Sequence, residues 1–183
     1  MDFKTVTENL LSTFEAEGIR YALIGGFAMG AWGVARSTVD MDFLIHKSDL
    51  PAVHKILTGM GYECRYQTEN VSQFVSPLKI FGEIDLLHAF REISVGMLHR
   101  AENRRIFNET MTIKVLKVED LIGLKVQAIA NDPSRKHMDM ADIESLMETY
   151  GGLIDWSIIE EYFALFKFND LFEKLKSNYG KIK

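Results

Sequence analysis

The chain has 183 residues, 47% apolar and 26% charged, with a net charge of −5 and a single cysteine, Cys64. That length fits one domain or a domain with a small appendage, and the composition is that of a globular protein rather than a disordered one. The acidic balance argues against gripping a nucleic-acid backbone as the main task, and one cysteine rules out an internal disulfide framework and fits a reducing compartment, with the cytoplasm expected.

The first ten residues, MDFKTVTENL, hold no basic segment followed by an apolar run, so no secretory signal is expected. Phe3, Val6, Leu10, Leu11 and Phe14 recur at helical spacing and Gly18 closes the segment, which predicts an amphipathic helix over 3–17. YALI then reads as a short buried strand, Gly25 and Gly26 break it, and FAMGAW predicts a short helix directly after the glycines. The uncharged stretch from Tyr21 to Ala35 is shorter than the roughly 20 apolar residues a membrane span needs, so no membrane association is expected. From Val39 to His46 the chain alternates, with Val39, Met41, Phe43 and Ile45 on one side and Asp40, Asp42, Leu44 and His46 on the other. Ser48 and Pro51 open a helix that Gly59 and Gly61 end.

Strand-like runs follow: YECRYQ, VSQFVS, LKIFGEIDLLHAF and MTIKVLK. Helices are predicted over 118–131 and, past NDPS, over about 135–150, with Gly151 and Gly152 stopping the second and marking a seam. Ser157 with Glu160 reads as a capping box for a third helix, and Asp170 starts a fourth. The fold class is therefore α/β (α+β): a mixed sheet flanked by helices, with a helical C-terminal segment.

Two aspartates two apart on a strand lie side by side on one face. Buried together without a cation they would be costly, so such a pair suggests either a solvated edge or a bound metal, and oxygen-only ligands favour Mg2+ or Mn2+ over zinc. GEIDLLHAF supplies Asp85 in a second apolar strand which, paired beside the first, would bring a third carboxylate to the same ion. Glu83 stands on the same face as Asp85. A bare D-x-D is most often a solvated edge, but here Gly25 and Gly26 stand at a strand-to-helix turn where backbone N–H groups can approach an anion, and Arg36 and Thr38 stand just before the aspartates. An anion site beside a metal site is what a nucleoside triphosphate with a divalent cation requires. The glycines fit neither G-x-x-x-x-G-K-[ST] nor G-x-G-x-x-G.

The stretches LIGGFAMGAWGVARSTVDMDFLI and GEIDLLHAF resemble the nucleotidyltransferase superfamily, the polymerase-β-like fold, in its G-[GS] turn, its D-x-D strand and its later third acid. The version with Gly-Gly and R-S-T-x-D-x-D is most similar to the branch of AbiEii-type toxins and small antibiotic nucleotidyltransferases. VEDLIGLKVQAIA followed by SRKHMDMADIESL resembles that branch's helical segment. Many superfamily members carry serine where Gly26 stands, so a hydroxyl contact to phosphate is absent and backbone N–H groups serve alone.

The resemblance implies a nucleotidyltransferase core over 1–117 with a helical region, 118–183, packed on it. It implies that Asp40, Asp42 and Asp85 hold Mg2+ or Mn2+, and that Gly25, Gly26, Arg36, Thr38 and Lys125 contact an NTP. Arg36 has an ion pair with the aspartates as its rival explanation, Thr38 a role in supporting the strand, and Lys125 a path to solvent along its own stem. Arg135, Asp139 and Asp142 share one helix face, an arrangement that on its own reads as an exposed ion-pair cluster. By the resemblance, Asp139 or Asp142 orients Lys125 or activates the acceptor, and Asp85 and Glu83 are further candidate bases. The five histidines lack zinc spacing and read as surface or strand-end residues, and Phe163, Phe166, Phe168 and Phe172 read as core.

The expected reaction is transfer of a nucleoside monophosphate from an NTP to a hydroxyl of a small acceptor, aminoglycoside-like or lincosamide-like, with pyrophosphate release. The alternatives are a toxin–antitoxin enzyme acting on RNA or protein, against which the net charge weighs for RNA, and a nucleotide-binding or interaction protein without turnover. The segment from Leu153 either covers the acceptor site or pairs with a second subunit in an oligomer.

Overall fold

A computed structural model describes residues 2–78 and 81–181. The chain divides into two compact units, residues 1–116 and residues 117–183.

The first unit opens with helix α1 (Phe3–Ala16), capped by Asp2, whose carboxylate accepts from the Thr5 N–H at 3.2 Å. Val6, Leu10 and Phe14 fall on one stripe and are buried. Strand β1 (Tyr21–Ile24) leads into α2 (Gly25–Ala31), which begins at the first glycine rather than after the pair. Strand β2 (Asp40–His46) follows, then α3 (Leu50–Gly59), β3 (Glu63–Gln67), β4 (Val71–Val75) and β5 (Glu83–Ala89). Part of the long run read from Leu78 lies outside the described residues, and its strand begins at Glu83. Helix α4 (Glu92–Arg100) and strand β6 (Glu102–Ile106) were not foreseen, and β7 (Met111–Val115) ends the unit's sheet.

The seven strands form one mixed sheet in the order β3-β4-β5-β2-β1-β7-β6. Strand β2 runs antiparallel to β1 and parallel to β5, while β1 runs parallel to β7. The alternation in β2 sorts its side chains as expected: Met41, Phe43 and Ile45 are buried, and Phe14 from α1 meets Phe43 edge to face at 6.0 Å between centroids. Val39, which the alternation put on this apolar side, precedes the strand and is 81% exposed. The apolar face also takes His88, expected at the surface or at a strand end and found next to the end of β5. It is buried because Nδ1 meets the Glu69 carbonyl at 2.9 Å and Nε2 meets Ser72 Oγ at 2.8 Å, satisfying both ring nitrogens.

The second unit is four helices: α5 (Val118–Asn131), α6 (Lys136–Tyr150), α7 (Trp156–Leu165) and α8 (Asn169–Tyr179). Helices α5 and α7 approach closely because position 123 is glycine; a Cβ there would stand 2.5 Å from the Tyr162 ring. The Tyr162 hydroxyl then donates to the buried Asp120 carboxylate at 2.6 Å. The cap of α7 is Asp155, whose carboxylate accepts from the Ser157 N–H at 2.9 Å, instead of the predicted Ser157–Glu160 box. Phe163 and Phe172 are core residues, as expected, with ring centroids 5.9 Å apart.

Candidate active site

Register builds the site in the first unit. Strands β2 and β5 pair in parallel with Asp40 opposite Glu83 and Asp42 opposite Asp85, so all four side chains leave the same face of the sheet. Asp40, Asp42 and Asp85 each place a carboxylate oxygen within 4.8 Å of the others. Glu83 does not belong to that set.

The Thr38 hydroxyl donates to Asp40 Oδ1 at 2.7 Å and also reaches the Asp40 carbonyl at 3.1 Å. Gly25 has φ +68°, and a Cβ there would stand 2.0 Å from Asp42 Oδ2, so only glycine lets the turn and the carboxylate share this space. A Cβ at Gly26 would meet Thr38 Cβ at 3.1 Å and Arg36 Cγ at 3.3 Å, which places the Arg36 stem and Thr38 over the same turn. Arg36 donates to the Ser37 carbonyl at 3.3 Å.

Asp85 Oδ1 is buried and has no hydrogen-bond partner. An orphaned carboxylate oxygen in such a position carries a large desolvation cost. Burial pushes the Asp85 pKa above the ordinary carboxylate value, a hydrogen bond from Gln73 opposes the shift, and the charges of Asp40 and Glu83 add to it. Three converging carboxylates, one oxygen of them unsatisfied, fit a hard divalent cation. Asp40, Asp42 and Asp85 would hold Mg2+ or Mn2+.

The predicted residues of the second unit also come together there. Lys125 Nζ on α5 lies 2.5 Å from Asp142 Oδ2 and 3.4 Å from Asp139 Oδ1, both on α6, and Arg135 Nε donates to Asp139 Oδ2 at 2.9 Å. Asp139 is 2% exposed at its side chain and Lys125 13%, so the contacts of Lys125 with Asp139 and Asp142 are sheltered, while Arg135, 46% exposed, stays at the surface as helical spacing suggested. The Lys125 stem does not carry its ammonium out to solvent, because two carboxylates of its own unit hold it.

A family model described as uncharacterised nucleotidyltransferase matches residues 3–175. The chain belongs to that family. No curated protein sequence matches it. Among solved structures, the solution structure of the antibiotic-resistance factor ANT(2'')-Ia is similar with a TM-score of 0.67, at 16% identity over 97% of this chain and 98% of that one. The lincosamide antibiotic adenylyltransferase LnuA, bound to lincomycin, is similar with a TM-score of 0.57 at 13% identity, over 79% of this chain and 96% of its own. An antigenic nucleotidyltransferase-like protein from Paracoccidioides brasiliensis has a TM-score of 0.56 and 19% identity, over 96% of this chain and 92% of its own. At these identities the likeness is one of fold, and it is the fold that the sequence motifs implied. Among the described residues of this nucleotidyltransferase, no helix is long and apolar enough to cross a membrane.

Gln73 had no signal in the sequence. It lies on β4 in register with Asp85 and donates through Nε2 to Glu83 Oε2 at 3.3 Å. Only the strand pairing reveals that it belongs beside the triad.

Proposed function

We propose that this nucleotidyltransferase moves a nucleoside monophosphate from an NTP to a hydroxyl of a small acceptor, with pyrophosphate as the second product. The observation that carries the reading is the convergence of Asp40, Asp42 and Asp85 from two strands beside the Gly25 turn, with Asp85 Oδ1 left unsatisfied. A bound Mg2+ or Mn2+ supplies charge neutralisation at the α-phosphate and at the leaving oxygen.

The chain's own part is to bind, orient and take up a proton. Gly25 and Gly26 offer backbone N–H groups to the phosphates, and Arg36, its stem folded over Gly26, offers a guanidinium. Thr38 keeps Asp40 in one orientation. The acceptor oxygen forms a bond to the α-phosphorus, the bond to the β-phosphate oxygen breaks, and pyrophosphate leaves with that electron pair. The acceptor's proton passes to a carboxylate, for which Asp85 and Glu83 are the candidates in the first unit; Asp139 and Asp142 are candidates by the resemblance alone. By the resemblance, Lys125 is assigned to triphosphate charge. Positioning and electrostatics supply most of the rate in a displacement of this kind.

The acceptor class is supported by relatives of the same fold: one ANT(2'')-Ia structure holds adenylyl-2''-tobramycin, and the LnuA structure holds lincomycin. An aminoglycoside-like or lincosamide-like compound is the acceptor we favour. Pyrophosphate release is the test, with ATP, GTP, CTP and UTP each offered with Mg2+ against aminoglycosides, lincosamides, transfer RNA and protein. Release with a small hydroxyl compound is expected. Release with RNA or protein alone would move the enzyme to the toxin-type reading, and tight nucleotide binding without release would make it a binding protein.

A further inference from the structure

Asp85 is the one member of the triad that stands alone on its strand. Register with β2 aims it at Asp40 and Asp42, but on the other side β5 pairs with β4, where the facing residue is Gln73. The Gln73 amide donates to Glu83 Oε2 at 3.3 Å, and its residue faces Asp85 directly across the strand pair.

A glutamine side chain has a donor end and an acceptor end of nearly the same shape, so its orientation is decided by its partners. The Glu83 carboxylate presents an acceptor oxygen to this amide. It therefore turns the NH2 group of Gln73 toward β5, and that group has two hydrogens to give. One serves Glu83, and the register leaves the other to serve an oxygen of Asp85. That oxygen is not Oδ1, which has no hydrogen-bond partner. Four carboxylates crowd this patch, yet only Asp40, Asp42 and Asp85 converge within 4.8 Å. Glu83 is left with no ligand role that its position supports, and with one clear contact, to Gln73.

We propose that Gln73 is a positioning residue of the cation site: anchored on Glu83, its amide holds one Asp85 oxygen and leaves Oδ1 directed at the ion that Asp40 and Asp42 share. This rests on the cation-dependent reading of the triad given above. Glu83 acts through Gln73 and not on the ion. Neighbours that orient a metal-binding side chain typically change metal affinity by about 10- to 100-fold when removed.

Mn2+ binding to the full chain without nucleotide, followed by the electron paramagnetic resonance of free Mn2+, tests this without reference to turnover. The variants are Gln73→Met, which keeps the length of the side chain and loses both donors, Gln73→Leu as a second apolar replacement, Glu83→Gln, and the double change Gln73→Met with Glu83→Gln. The expected result is Mn2+ affinity weaker by about tenfold or more in either Gln73 variant, with a double variant no weaker than Gln73→Met alone. Such non-additivity marks two residues acting as one unit and would not arise from a general loosening of the sheet. Wild-type affinity in Gln73→Met and Gln73→Leu, or losses that add in full in the double variant, would overturn the proposal. No Mn2+ binding by the unsubstituted protein would overturn the cation site itself, and this proposal with it.

Discussion

Asp42 Oδ2 occupies the space into which a Cβ at Gly25 would project, at 2.0 Å. The glycine turn is thus first a clearance for the carboxylate, whatever it does for phosphate. Its φ of +68° is a second reason for glycine.

Replacing Gly25 by alanine must therefore move Asp42 or the turn. Gly25→Ala is expected to destabilise the protein by about 1–3 kcal/mol and to weaken Mn2+ binding and nucleotidyl transfer by roughly a hundredfold, since one misplaced ligand is enough. Gly26→Ala should be milder, because the atoms it meets belong to the Arg36 and Thr38 side chains. Thermal melts and Mn2+ titration of the two variants check the order.

Asp85 carries a stability penalty in the metal-free protein. Its folded-state pKa is raised, chiefly by burial, above the ordinary 3.8. A raised carboxylate pKa means that stability is lost as pH rises from that ordinary value through the folded-state value. Asp85→Asn should then melt higher than the unsubstituted protein at pH 7 without metal, while losing transfer activity by roughly a thousandfold. Mg2+ should raise the melting temperature of the unsubstituted protein and leave that of Asp85→Asn unchanged.

Lys125 compensates two buried acids of its own unit. Lys125→Met leaves Asp142 and Asp139 with less opposing charge and should cost about 3 kcal/mol of stability, read by denaturant unfolding. Nucleotide affinity of the folded fraction, measured separately, checks the role assigned to Lys125 in holding the triphosphate.

Acid stability should have a contribution from Asp49, whose side chain is held by Arg20 at 2.7 Å. The Arg20 hydrogen bond leads in drawing the Asp49 pKa down to about 2 from 3.8. A depressed carboxylate pKa gives stability that is present above the unfolded value and is lost as pH falls through the folded one. Arg20→Ala should lower stability at neutral pH and flatten the profile between about pH 4 and pH 2, so that its difference from the unsubstituted protein disappears in acid, followed by circular dichroism.

The triad was legible because two acids alternate with Met41 and Phe43, and a third interrupts Ile84 and Leu86, in runs that otherwise read as buried strand. Strand periodicity fixes a face but not a partner, so the β4–β5 register that sets Gln73 beside Asp85 had no sequence signal. Strand β6, ENRRI, lacks an apolar face because it is an edge strand, and only its pairing with β7 defines it. Helix α4 hid for a different reason: its N-terminal contact is Ser94 reaching back to Arg91, not a serine or threonine ahead of the helix. The burial of His88 and the sheltering of Asp139 and Asp142 had no signal in the sequence because burial of a polar group depends on partners distant in sequence.

Anomalous scattering from Mn2+ in crystals grown with a non-hydrolysable triphosphate tests the shared cation site most directly. A peak bounded by carboxylate oxygens of Asp40, Asp42 and Asp85 is expected, with the triphosphate tail at Gly25 and Gly26. A nucleotide bound elsewhere, or no peak between these three carboxylates at saturating Mn2+, would contradict it.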